Sequence, residues 1–230
     1  MLHEIRLYLV SFVDLLLNSI QYNLNPYITS EFSQHALLST IGIVSSILGG
    51  TFMFTLAKII DIWGRVEGFL AMLFVITVGL VMKCVARNVQ TYAAAHTFYW
   101  VGHLGLLYVI DIILADMTTL KNRMLMFTIN GTPTIASTFA GPAIAELFYE
   151  ESNFRWAFGA FLIVLIGVSI PAAVLLLINQ RRAAKLGVLS EKDVDRTVFQ
   201  TIKYYVIEFD GKHMATPYPF IARTNQISLI

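Results

Sequence analysis

The chain has 230 residues, of which 57% are hydrophobic and only 13% charged, against about 25% charged in soluble globular domains. With a mean hydropathy of +0.68, this composition excludes an ordinary soluble domain and points to an all-α membrane protein that crosses the bilayer several times. The formal charge of +1 gives no basic field, and the aromatics lie in apolar runs rather than among Lys and Arg, which excludes nucleic acid as a partner.

Apolar windows long enough to cross a bilayer, about 20 residues each, fall near 5–24, 37–58, 68–86, 91–114, 124–148 and 156–179, which predicts six transmembrane helices. The first lacks a cationic leader and a small-residue cleavage site, and Asp14 and Asn18 interrupt it, so it reads as a retained helix and not a signal peptide. Asp14, Asn18, Gln21, Tyr22 and Asn25 form a polar stripe along it at helical spacing. An outward loop from Asn25-Pro26 to His35 follows. The second span places Gly42, Ser46 and Gly50 at i, i+4, i+8, a small-residue ridge of the kind that lets helix backbones approach closely. It ends in a polar turn containing Asp61, Gly64 and Arg65, whose fixed charges must face water or another protein segment.

The third span, "FLAMLFVITVGLVM", is apolar all round and is expected to turn most of its surface to lipid. The fourth carries Tyr92, His96, Tyr99, His103 and Asp111, a second polar and aromatic stripe expected, like the first, to line water. The fifth repeats the small-residue ridge with Ser137, Gly141 and Ala145. Its Gly141-Pro142 pair offers a kink, because proline frees a backbone carbonyl. The Asn130-Gly131-Thr132 sequon lies inside this span and is expected to be unused. The sixth, "FLIVLIGVSIPAAVLLLI", is again apolar all round.

Lys58, Arg65, Lys121, Arg123, Arg181, Arg182 and Lys185 fall at one set of span ends, and Lys83, Arg87 and Arg155 at the other. The first side is therefore expected to be cytosolic, with both termini inside. The expected domains are a transmembrane bundle over 5–179, a cytosolic segment over 180–210, and an aberrant tail over 211–230.

A carboxylate at mid-bilayer costs about 2.5–3.5 kcal/mol on insertion scales, so Asp14 and Asp111 need a reason to be present. Two readings stay open for each: a proton-coupling or substrate-contact group in a cavity, or an acid whose head reaches interfacial water. His96 and His103 stand seven residues apart, about 10.5 Å along a helix, too far to chelate one ion together, so no metal site is predicted. His35 reads either as an entrance or pH-sensing group or as a solvated loop residue, and Tyr99 as a flat surface for a large polar ligand or an interfacial anchor. Cys84 is the only cysteine, so no internal disulfide or CxxC pair exists. No nucleophile–base pair, phosphate-cradling loop or HExxH appears, and neither enzymatic activity nor a cofactor is predicted.

Ala57-Lys58-Ile59-Ile60-Asp61-Ile62-Trp63-Gly64-Arg65 resembles the signature loop after the second helix of major facilitator transporters, G-x-x-x-D-x-x-G-R, with Ala57 in place of the first glycine. The blocks "TSEFSQHALLSTIGIVSSILGG", "AKIIDIWGRVEGF", "TYAAAHTFYWVG", "ADMTTLKNRMLMF", "STFAGP" and "FRWAFGAF", in order over roughly residues 8–210, resemble the fungal siderophore–iron transporters of that superfamily. Gly141-Pro142 resembles the glycine-proline motif of proton-linked drug exporters. The alternation of cavity, packing and outer helices fits one half of such a carrier, built as a three-plus-three inverted repeat. The resemblance implies proton-coupled uptake of ferric siderophores at the plasma membrane or an endosomal or vacuolar membrane, with iron carried inside its organic chelate. It also implies a second half, so the sequence reads as an amino-terminal half with a truncated or frame-shifted end, working with a second half or as a homodimer. The alternatives are a non-transporting six-helix remnant or modulator of a full-length relative, and half of a drug:proton antiporter.

The charge asymmetry makes a direct prediction. A cysteine introduced at position 121 should be labelled by a membrane-impermeant maleimide only after the cells are opened; labelling in intact cells would overturn the orientation.

Overall fold

In the computed structural model, which describes residues 2–32, 35–151 and 153–185, seven helical segments follow one another: α1 (Leu2–Phe32), α2 (His35–Trp63), α3 (Arg65–Val85), α4 (Val89–Met117), α5 (Leu120–Gly131), α6 (Pro133–Glu151) and α7 (Phe154–Lys185). The tail expected over 211–230 and most of the segment expected over 180–210 lie outside the described residues. α3 and α4 run antiparallel, with Gly68 near Val109, Gly79 against Tyr99 and Gly102 against Ile76, and so do α4 and α5, with Asn130 on Asp111 and Arg123 on Ala115, so that Arg65, Lys121 and Arg123 gather at one end, the basic end. Among the described residues four helices are long and apolar enough to cross a membrane: Thr40–Ile60, Arg65–Val85, Val89–Met117 and Phe154–Ala183. α1 and α6 are not among them. Their polar and small residues are directed at other helices, so hydropathy alone underrates them.

The fifth predicted span is the one the structure divides. Thr132 keeps right-handed helical angles (φ −61°, ψ −29°), but Pro133 has no N–H with which to continue the ladder, and the regular pattern restarts there as α6. The interruption falls ahead of Gly141-Pro142. α6 runs through Pro142 without a break.

The link between α2 and α3 is the single residue Gly64, at φ 117° and ψ 161°. Only glycine takes that conformation without strain. A Cβ on Gly64 would also press on the Glu67 carboxylate, at 2.5 Å.

α3 carries a buried face as well as the exposed one its uniform apolarity suggests, where Phe74, Val81 and Val85 stand out. It makes the most extensive helix pairing of the bundle, with α4. A Cβ on Gly79 would collide with the backbone nitrogen of Tyr99, and one on Gly102 with the backbone of Ile76. Two glycines facing opposite backbones let the helices approach more closely than any side chain permits. That buried face presents Phe69, Met72, Ile76, Leu80 and Lys83 to the interior, and an apolar residue facing protein is indistinguishable in sequence from one facing lipid.

The two small-residue ridges differ in what they meet. Ser137, Gly141 and Ala145 of α6 are buried and turned to α1, where a Cβ on Gly141 would strike Ser19 and where the Ser19 hydroxyl donates to the Ser137 carbonyl at 2.8 Å. On α2, by contrast, Gly42 and Gly50 have nothing within 4 Å and Ser46 is exposed. That ridge is open in this chain, and α2 meets α4 through other residues, with Ser45 and Thr97 sharing a hydrogen bond at 3.0 Å.

Two apolar clusters fill the bundle. One joins Leu17, Ile20, Leu24, Ile76, Tyr99 and Phe158 toward the end opposite the basic one, and the other joins Leu7, Val10, Ile60, Phe69, Leu106 and Ile113 toward the basic end. Along α1 the seam falls between Val10 and Val13, along α4 between Tyr99 and Leu106, and along α7 between Leu165 and Ala172. Buried polar residues occupy it: Ser11, Asp14, His103 and Ser169.

Because the atoms facing Gly79 are backbone and cannot rotate away, Gly79→Leu should lower the stability of the detergent-solubilised bundle by at least about 1–3 kcal/mol, the range for overpacked cores. Gly42→Ala on the open ridge should leave it unchanged. Thermal melting followed by size-exclusion chromatography separates the two; equal effects would contradict the packing.

Candidate functional site

The buried polar residues of α1, α3 and α4 form two clusters on one face of α4. At mid-helix, the His103 ring nitrogen Nδ1 donates to Asp14 Oδ2 at 2.8 Å. Both side chains are shut off from solvent, His103 at 4% and Asp14 at 0% exposure. Seven residues away along α4, about 10.5 Å, lies the second cluster. Lys83 Nζ of α3 donates to Gln21 Oε1 of α1, Gln21 Nε2 donates to His96 Nδ1 at 3.2 Å, and Lys83 Nζ approaches the same nitrogen at 3.4 Å.

These contacts assign the two imidazoles different roles. His96 Nδ1 faces two donors and accepts, which leaves the ring neutral with its proton on Nε2, whereas His103 Nδ1 faces a carboxylate and donates. Tyr99 connects the clusters. Its ring lies 3.8 Å beneath the Lys83 ammonium and stacks on His103 with centroids 5.8 Å apart and on His96 at 6.4 Å. Tyr92 at 5.7 Å and Phe158 at 5.0 Å complete the aromatic surround of Lys83. A desolvated cation over aromatic faces gains about 2 kcal/mol or more, which helps to hold an amine where the described residues give it no carboxylate partner. Several buried polar atoms beside these clusters have no protein partner: Asp14 Oδ1, the Tyr99 hydroxyl, Trp100 Nε1 and Ser11 Oγ. Such atoms mark places for water.

The stripes of α1 and α4 were expected to line water. Asp14, Gln21, Tyr92, Tyr99 and His103 are instead buried against other helices: Asp14 pairs with His103, Gln21 with Lys83 and His96, and the Tyr92 and Tyr99 rings pack against Lys83. Asn18 is half-buried, and Tyr22 stands out on the surface at 78% exposure. Lys83 is the residue the sequence misplaced. It counted as a surface charge at the end opposite the basic one, yet its exposure is 0%. Its signal is the spacing Met72-Ile76-Gly79-Lys83, which continues the buried face of α3. Without Lys83 that end keeps Arg87 and Arg155, and Arg155 Nε donates to the Ala86 carbonyl at 3.0 Å.

At the basic end, Arg65 Nε pairs with Asp116 Oδ2 at 2.9 Å, both side chains about half exposed at 44% and 52%. The turn is thus tied to the end of α4, while Gln180 of α7 donates to Glu67 at 2.6 Å just beyond it. Asp111 accepts from Asn130 of α5 at 3.1 Å, beside a cleft of about 270 Å³ between α1, α4 and α5 lined by Tyr8, Leu114, Met126 and Ile129. The side chains of Asp61 and His35 lie outside those described. Among the described residues no group of three His, Cys, Asp or Glu is placed to hold a metal ion.

The family model described as Major Facilitator Superfamily matches residues 7–222. The chain belongs to the major facilitator superfamily. It is 57% identical over 204 residues to "MFS siderochrome iron transporter 1" of Ajellomyces capsulatus, a match covering 89% of this chain and 36% of that protein. It is 42% identical over 193 residues to "MFS siderochrome iron transporter D" of Aspergillus fumigatus, covering 84% and 32%, and 40% identical over 205 residues to "Siderophore iron transporter mirB" of Emericella nidulans, covering 89% and 34%. All three are named as transporters, not enzymes. The chain spans about a third of the length of these curated relatives. As a major facilitator chain with four strongly apolar helices it is an integral membrane protein.

Burial separates the Asp14–His103 hydrogen bond from the exposed Arg65–Asp116 ion pair energetically. A double-mutant cycle of Asp14→Asn with His103→Gln should give a coupling energy of about 1–3 kcal/mol, whereas Arg65→Gln with Asp116→Asn should give about 0–1 kcal/mol. Equilibrium unfolding in mixed micelles reads both, and equal couplings would contradict the assigned burial.

Proposed function

We propose that this chain forms the amino-terminal bundle of a proton-driven carrier that takes up ferric siderophores, acting at the plasma membrane or an endosomal or vacuolar membrane. The observation that carries the reading is the 57% identity over 204 residues to a protein named as a siderochrome iron transporter, joined to a superfamily match over 7–222. The six helical courses, counting α5 and α6 as one, stand as one carrier half built as a three-plus-three inverted repeat. The surfaces left open here support a partner half: the Gly42-Ser46-Gly50 ridge of α2 has no neighbour, and Tyr22 of α1 is exposed. In this reading a second half, or a second copy of this chain, packs on the ridge, and Tyr22 and Asn18 face the passage between the two.

The division of labour follows from size. A siderophore chelate is large and polar, so it travels along the open face, and iron needs no ligand from the protein. The buried ladder on α1, α3 and α4 is closed to such a molecule and suited to a proton. Asp61, Gly64 and Arg65 act as the gate turn. Gly64 allows the tight reversal, and the Arg65–Asp116 bridge ties its position to α4, the helix that carries His96 and His103.

Joining residues 1–185 to the remaining length of the Ajellomyces capsulatus relative, in a strain without siderophore carriers of its own, tests the reading. The chimera should restore uptake of radiolabelled ferric siderophore and growth on it as iron source, while residues 1–230 alone should not. A chimera that reaches the membrane and takes up nothing would overturn the assignment; uptake by residues 1–230 alone would replace the second half with a homodimer.

A further inference from the structure

The proposed carrier needs a place to bind protons, and Asp14 alone does not define one. Asp14 and His103 sit at mid-bundle, where α1 and α4 are farthest from either end, and both are shut off from solvent. Lys83, Gln21 and His96 lie about two helical turns nearer the end opposite the basic one, also buried and bonded to each other. Between them stands Tyr99, in ring contact with His96, His103 and the Lys83 ammonium, its own hydroxyl without a protein partner.

Resting on that functional reading, we propose that Lys83, Gln21 and His96 form an outer proton station that exchanges with the Asp14–His103 pair through the interior of this bundle, past Tyr99, and not through the passage between halves. Lys83 Nζ gives a proton to His96 Nδ1 across 3.4 Å, and His96 releases its Nε2 proton. Water beside the Tyr99 hydroxyl carries that proton to His103 Nε2. His103 then passes its Nδ1 proton to Asp14 Oδ2 across 2.8 Å. Each transfer breaks one N–H or O–H bond and makes another. The net change is one proton, with its positive charge, relayed inward, an ammonium and a carboxylate becoming an amine and a carboxylic acid, so both ends of the relay finish neutral. Gln21 is the positioning residue: its amide holds Lys83 and His96 together and does not titrate.

The groups facing this path are few. α1 contributes Asp14 and Gln21, α3 contributes Lys83 and Cys84, and α4 contributes Tyr92, His96, Tyr99 and His103. α7 presents Phe158, and its Arg155 binds the Ala86 carbonyl at the outer rim. α2 contributes no charged group among the described contacts; it meets α4 through the Ser45–Thr97 hydrogen bond and, at Gly49, the Trp100 ring.

The test needs no transport, so it can fail independently of the siderophore reading. The full chain, with ring-labelled histidines and set in lipid nanodiscs, is titrated by nitrogen NMR, with His96→Gln and His103→Gln to assign the two rings. Linked stations predict that both rings titrate in shared steps, and that Lys83→Met moves the midpoint of the distant His103 as well as that of His96, by about one pH unit or more, the strength at which groups titrate as a pair. Phe158→Leu, which alters the same surround without changing a charge, should leave His103 where it was. Gln21→Leu should weaken the linkage and Gln21→Asn preserve part of it. Independent single-step curves in the unsubstituted protein, or a His103 midpoint unmoved in folded Lys83→Met, would overturn the proposal. The unsubstituted titration decides the matter even if Lys83→Met does not fold.

Discussion

A carboxylate in the middle of a membrane bundle must find its partner inside the protein, and the Asp14–His103 hydrogen bond answers that constraint. The pair lies in the seam between two apolar clusters, both side chains shut off from bulk solvent, where an unpaired charge would cost about 2.5–3.5 kcal/mol even on the mildest scale. Holding His103 there fixes the rotation of α4, and that rotation puts His96 and Tyr99 toward α1 and α3. The rotation is in turn possible only because Gly79 and Gly102 bring the α3 and α4 backbones together. Glycine contact and buried hydrogen bond are thus two sides of one arrangement. The first sets the distance between helices and the second sets which faces meet.

This explains why the bundle has an inside that is neither oily throughout nor open. Lys83 survives at 0% exposure because three aromatic faces, Gln21 and His96 replace its water. Outside this core the chain behaves differently. α7 turns Ile163, Val164 and Ile170 outward as a lipid-facing helix does, while α2 leaves a ridge of glycine and serine with nothing against it. An open small-residue ridge suits another helix better than lipid, since its value lies in close backbone approach. The described surface therefore divides into a large apolar face on α7 and an open small-residue face on α2.

Much of the fold was legible because the bilayer imposes length and hydropathy on every crossing. All six windows correspond to helices, and the polar stripe of α4 named the residues that line the buried ladder. Three things were hidden. The first is direction: Tyr92, Tyr99 and His103 look in sequence like residues lining water, and only their partners on α1 and α3 show that they face protein. The second is Lys83, which sits at the edge of a hydropathy window where a snorkelling surface lysine also sits. Its periodicity with Met72, Ile76 and Gly79 was readable, but apolar residues on every side masked the buried face. The third is the break at Thr132-Pro133. Gly141-Pro142 drew attention as the kink, yet a helix carries an internal proline when neighbours absorb the freed carbonyl, whereas Pro133 coincides with the end of a polar segment where α5 has few partners. Of the turn between α2 and α3, Gly64 is the residue whose positive φ demands glycine. Arg65 makes its bridge to Asp116, more than fifty positions away in sequence.

The central claim is that a hydrogen-bonded Asp14–His103 pair at mid-depth orders α1 against α4. Solid-state NMR of the chain in lipid bilayers, with the His103 ring nitrogens and the Asp14 carboxyl carbon isotopically labelled, measures it directly. A 2.8 Å Nδ1–Oδ2 contact predicts strong dipolar dephasing between the Nδ1 signal and that carbon, lost on His103→Gln. Absence of dephasing in the folded, lipid-embedded chain would contradict the account.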